Sequence, residues 1–110
     1  MITFELNDTY TLCSTESTPN LISSLLEEIK KRELSEHLIL DLSTTKITSK
    51  EIESFKEFSE LKRENNSSFV VIALNIDIDS IPEEINVVPT IQEAIDVLEL
   101  DAIERDLTGL

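Results

Sequence analysis

The chain has 110 residues, the length of one ordinary domain, with 40% hydrophobic and 29% charged residues, a balance that folds rather than stays disordered. Nine Lys and Arg stand against 23 Asp and Glu, a formal net charge of −14; such a surface repels phosphates and speaks against nucleic acid and anionic membranes as partners. The single glycine is Gly109, so there is no P-loop, no GxGxxG turn and no GxSxG elbow to cradle a phosphate or expose a nucleophile.

In chain order, Ile2, Phe4 and Leu6 alternate with Thr3 and Glu5 as in a half-buried strand. Asn7-Asp8 forms a two-residue turn, and Thr9–Ser14 alternates again, completing a hairpin. Thr18-Pro19 reads as a cap and first helical residue, followed by a stripe of Leu21, Ile22, Leu25, Leu26 and Ile29 that Lys30, Lys31 and Arg32 close. His37–Leu42 is a strand buried on both faces. Thr48-Ser49-Lys50-Glu51 matches the T-x-x-E capping box and opens a second helix with Ile52, Phe55, Phe58 and Leu61 inward, stopping at Asn65-Asn66. Phe69–Leu74 is the clearest buried strand, and at six residues it is far short of a membrane span. Ser80–Ile85 gives one helical turn, Asn86–Val88 a brief strand, and Thr90–Glu93 a further capping box ahead of a helix through Ile91, Ala94, Ile95 and Leu98. Strands alternating with amphipathic helices predict one α/β domain over residues 1–110, with an N-terminal β-hairpin and later strands parallel.

Chemistry-bearing residues are sparse. One cysteine, Cys13, excludes an internal disulfide and a Cys-based zinc site, and its place on a strand reads as a small buried hydrophobe. One histidine, His37, excludes a two-His metal site and reads as a polar cap on the strand that follows. Asp77-x-Asp79 with Glu83 and Glu84 lacks the turn glycine and bidentate glutamate of a calcium loop, and reads as a solvated connector. Carboxylate pairs such as Glu27-Glu28 read as solvated helix faces. No metal, cofactor or catalytic residue is predicted. Thr48 and Ser49 are the exception: hydroxyls at a helix start cap backbone N–H groups, and the same place suits a phosphate.

Leu38–Ser43, Ile47-Thr48-Ser49, and the helix leading to Phe69–Leu74 together resemble the STAS domain of anti-sigma factor antagonists. Val87-Val88-Pro89-Thr90 and Glu93-Ala94 resemble that family's last strand and helix start, so the resemblance spans nearly the whole chain. It implies a mainly parallel sheet in a right-handed β-α superhelix, and a regulatory module that binds a kinase-like anti-sigma factor without catalysis. It also implies a phosphoswitch in a helix-starting Asp-Ser-Ser-Gly motif, which falls here on Thr48, Ser49, Lys50 and Glu51. Ser49 takes the phosphoacceptor position, with Thr48, Lys50 and Glu51 as partner contacts. Ile85–Thr90 and Glu104–Leu107 are similar to the tail of short bacterial STAS-like chains, some labelled ribonuclease Z. That enzyme class requires an HxHxDH zinc motif, so the alternative is a subunit or mislabelled relative of an RNA-processing enzyme.

The N-terminus, Met1–Leu6, has no basic stretch followed by an apolar run, so a cytoplasmic protein is expected. The acidity is uneven: residues 77–106 hold ten acids against one base, Arg105, a net of −9 out of −14. A basic protein partner suits that segment. The last helix also carries Val97, Leu100, Ile103 and Leu107 as a second apolar stripe, which makes a structural homodimer through this helix a further alternative.

Overall fold

The computed structural model describes residues 2–15, 21–33 and 36–108; Thr18 and Pro19, expected to open the first helix, lie outside them. Five strands, β1 (Ile2–Leu6), β2 (Thr11–Thr15), β3 (Leu38–Asp41), β4 (Phe69–Ile72) and β5 (Asn86–Val88), form one sheet in sequential order. β1 and β2 are antiparallel, and β2 through β5 are parallel. The helices are α1 (Leu21–Lys30), α2 (Ser49–Glu53), α3 (Lys56–Glu64) and α4 (Ile91–Thr108), with a 3₁₀ turn at Ile78–Ser80. The α/β class, the hairpin and the mainly parallel sheet follow the sequence reading.

Alternation along β3 and β4 explains the layering. Leu38, Leu40, Phe69 and Val71 point to one face, where Leu25 and Ile29 of α1, Ile52 of α2, and Phe55 and Phe58 join them in the larger core. Ile39, Val70 and Ile72 point to the other face and pack with Ala94 and Leu98 of α4. Ile76, Ile81 and Ile85, between β4 and β5, also pack in the larger core, so among the described residues all three crossovers between parallel strands lie on one face, and α4, with Tyr10 of the hairpin loop, covers the other. Each fully buried Leu, Ile or Phe contributes roughly 1.5–3 kcal/mol, which makes the central strands the main stabilising element. Cys13 lies fully buried in this core, and burial pushes its thiol up to about 12, so it is a packing residue rather than a nucleophile.

Four details depart from expectation. The hairpin loop spans four residues, with Leu6 opposite Thr11, because the Asn7 carboxamide oxygen accepts the N–H groups of both Thr9 and Tyr10 at 2.8 Å. The one-turn helix expected at Ser80–Ile85 lies earlier, at Ile78–Ser80, where Asp77 Oδ1 accepts from Asp79 N–H at 3.1 Å. Ile91, expected inward, is 40% exposed at the start of α4. The fourth concerns the second helix.

That helix is broken. Ser54 N–H donates to Glu51 O (3.1 Å) and Phe55 N–H to Ile52 O (3.0 Å), a 3₁₀ step between α2 and α3. Three residues per turn align positions i and i+3, which brings Ile52, Phe55 and Phe58 to the core together. The rings of Phe55 and Phe58 lie 5.9 and 5.0 Å from Phe69, the second pair edge to face. α-Helical bonding resumes with Ser59 N–H to Phe55 O (2.9 Å), and the next inward position becomes 62. Leu61, expected in the core, is therefore 42% exposed, while Lys62 is 1% exposed. The helix ends at Glu64 with Asn65 as its cap, and the next residue, Asn66, has a φ of 57°, the left-handed conformation that asparagine adopts more readily than most residues.

Lys62 Nζ donates to the carbonyl oxygens of Glu36 and Glu33, tying α3 to the connector between α1 and β3. Burial lowers its pKa from 10.5 to about 8, only partly offset by the Glu36 carboxylate. The unfolded chain thus binds a proton between pH 8 and 10.5 that the folded chain has released, so stability rises with pH through that window. In thermal melts from pH 7 to 10, the stability of the wild type relative to Lys62→Met is expected to increase with pH. Parallel profiles would contradict the depressed ammonium.

Candidate functional site

The residues singled out by sequence meet at the corner between β3 and α2, beyond the carboxyl end of β3. The corner starts from Asp41, whose Oδ1 accepts from both the backbone N–H (2.9 Å) and the hydroxyl (2.6 Å) of Ser43. Leu42 N–H donates to Ile72 O (2.8 Å) and Thr45 N–H to Leu42 O (3.1 Å), which turns the chain away from the sheet. Residues 43–47 then line a pocket of about 380 Å³ with Leu74 and Asn75. Asn75 has φ of 58°, so with no glycine near the end of β4, asparagine again takes the left-handed turn.

The capping box is complete. Glu51 N–H donates to Thr48 Oγ1 (3.2 Å), and Thr48 N–H donates to Glu51 Oε1 (3.0 Å). The hydroxyl of Thr48 and the carboxylate of Glu51 are thereby committed to starting the helix. Ser49, half-buried at the first helical position, stands beside the box and outside its bonding, and Lys50 is exposed next to it. Lys46 adds a second exposed cation to this corner of an acidic chain. Thr45 Oγ1 is buried without a hydrogen-bond partner. An unsatisfied buried hydroxyl costs about 1–3 kcal/mol.

A second polar constellation sits at the opposite, amino-terminal end of β3 and β4. Ser68 N–H donates to His37 Nδ1 (3.0 Å), Ser68 Oγ donates to Asp101 Oδ2 (2.8 Å), and Arg105 Nη1 donates to Ser68 Oγ (3.3 Å). Burial, and then the positive charges of Arg105 and Lys62, hold the His37 pKa below its ordinary value, with Asp101 opposing them. A neutral imidazole accepting through Nδ1 follows. A pocket of about 250 Å³ adjoins the cluster, with Arg63, Asn86 and Glu104 among its walls. The serine hydroxyl faces the carboxylate rather than the imidazole, so the nucleophile–base pairing of a hydrolase is not assembled. The cluster instead anchors α4 to the amino-terminal ends of the central strands.

Sequence reading foresaw only His37 here, as a strand cap. Ser68, Asp101 and Arg105 are separated from His37 by 31 to 68 positions and share no local motif; the i, i+4 spacing of Asp101 and Arg105 on the inward side of α4 was the only available signal. Among the described residues no group of three or more His, Cys, Asp or Glu is placed to hold a metal ion, and no helix is long and apolar enough to cross a membrane. Val97 packs against the smaller core, whereas Leu100, Ile103 and Leu107 are exposed.

Two substitutions separate structural from available hydroxyls at the corner. Thr48→Ala is expected to lower unfolding stability by about 1 kcal/mol and Ser49→Ala by less than about 0.5 kcal/mol. An equal loss in denaturant titrations would place Ser49 in the cap. Thr45→Val, which keeps shape and removes the unpaired hydroxyl, is expected to raise stability by about 1 kcal/mol; a loss of that size would show that the hydroxyl is satisfied in solution.

Comparison of the chain with protein-family models, curated proteins and solved structures finds no match.

Proposed function

We propose that the chain is a non-catalytic, STAS-like protein-interaction module whose β3–α2 corner contacts an anti-sigma-factor-like protein partner, with Ser49 as the regulatory phosphoacceptor. The observation that carries this reading is the division of labour at the corner: Thr48 and Glu51 complete the cap, and Ser49 has no part in it. A serine in that place is free of the structural duty that otherwise explains a hydroxyl at a helix start.

Three features support the reading. The parallel strands follow one another in sequence, with every crossover on one face, the arrangement expected of a β-α superhelix. The resemblance in Leu38–Ser43 and Ile47–Ser49 falls on the strand end and loop that shape this corner. The exposed Lys46 and Lys50 give this loop polar groups for a docking protein to engage. Adding a phosphate to Ser49 Oγ brings nearly two negative charges to this surface and disrupts a contact made with the unmodified corner.

Intact-mass and fragment spectrometry of the protein from its own cells is expected to find phosphate at Ser49. Ser49→Asp is expected to lose at least tenfold in affinity for the captured native partner, while Ser49→Ala retains binding. Equal binding by both variants, with Ser49 unmodified in cells, would refute the switch.

A further inference from the structure

The outward face of α4 has a composition of its own. Leu100, Ile103 and Leu107 recur at i, i+3 and i+7, and are 59%, 56% and 67% exposed. At 100° per residue they form one ridge on the side of the helix opposite Ala94 and Leu98, which are buried against the sheet. Acids border the ridge: Glu99 and Asp106 on one flank, Glu93 and Glu104 on the other, and Asp96 at its amino-terminal end, all exposed. The only base of α4, Arg105, points inward to Ser68. This is a seam of apolar residues with single-sign flanks, the pattern that sets partner choice when helices pair.

We infer that this ridge docks an amphipathic helix with Lys or Arg flanking its apolar stripe, supplied by the protein partner. The inference rests on the interaction-module reading and deepens it by adding a second contact surface and the chemistry of the partner. Charge decides against the most obvious alternative, a second copy of the chain. Pairing two α4 ridges, parallel or antiparallel, sets acidic flanks against acidic flanks. A cationic flank on the partner converts the same positions into complementary pairs, while the three apolar side chains leave water. Binding of this kind is salt-sensitive because the flanking charges are exposed.

The test uses the full chain and two synthetic helical peptides with the same leucine stripe, one flanked by lysines and one by glutamates. Fluorescence anisotropy is measured for wild type, for Leu100→Gln/Ile103→Gln, which keeps every charge, and for Asp77→Asn/Asp79→Asn, which removes two acids away from α4. The lysine peptide is expected to bind wild type and the Asp77/Asp79 variant alike, and to lose at least tenfold on Leu100→Gln/Ile103→Gln. The glutamate peptide is expected not to bind. Equal affinity of the lysine peptide for all three proteins would reduce the effect to bulk charge and overturn the inference. So would a wild-type dimer in light scattering that Leu100→Gln/Ile103→Gln dissolves, since the occupant would then be a second copy. Both substituted side chains are exposed, and circular dichroism checks that the fold is retained. Failure here with Ser49→Asp still disrupting the native partner would remove only the α4 surface; loss of Ser49 dependence with peptide binding intact would remove only the switch.

Discussion

β3 and β4 run parallel at the centre of the sheet with apolar side chains on both faces, and a strand pair of that kind cannot leave either face in water. The remaining architecture answers that constraint. Every crossover lies on the face of Leu38, Leu40, Phe69 and Val71, so a further element has to cover Ile39, Val70 and Ile72. Among the described residues α4 is the helix that does so. Its inward side is anchored at one end by Ala94 and Leu98 and at the other by Asp101 and Arg105 on Ser68.

Satisfying the central strands also determines what is left over. The β3–α2 corner, the start of the β3–β4 crossover, holds a buried hydroxyl with no partner beside a helix start that is fully capped. α4, one helix deep against the sheet, exposes its outer side and there carries three apolar residues between acids. The two surfaces differ in charge. The corner presents Lys46 and Lys50, whereas the helix presents carboxylates, so one partner engaging both has to be electrostatically divided.

Much of this was legible from residue patterns because the signals are local. Apolar runs marked β3 and β4, the T-x-x-E pattern marked the start of α2, and paired asparagines marked the end of α3. The break at Ser54 and Phe55 was not legible, since Ile52, Phe55 and Phe58 at spacing three fit a continuous helix as well as a 3₁₀ step. That ambiguity exchanged Leu61 for Lys62 in the core, and no pattern rule places an ammonium there; it is stable because backbone carbonyls from a distant loop receive it. The His37, Ser68, Asp101 and Arg105 cluster was hidden for the same reason. Its members are brought together by strand register and helix docking, neither of which a single sequence displays.

In the proposed role the molecule acts by presenting surfaces to a protein partner, foremost the β3–α2 corner. Amide hydrogen exchange tests it most directly, with tagged protein incubated in clarified lysate of its own cells and compared with the same protein in buffer. Slowed exchange is expected across residues 43–51, with added protection along the outer turns of α4. Unchanged exchange at 43–51, with protection confined to the pocket rim around Arg63 and Ser68, would contradict it and move the functional site to the other end of the sheet.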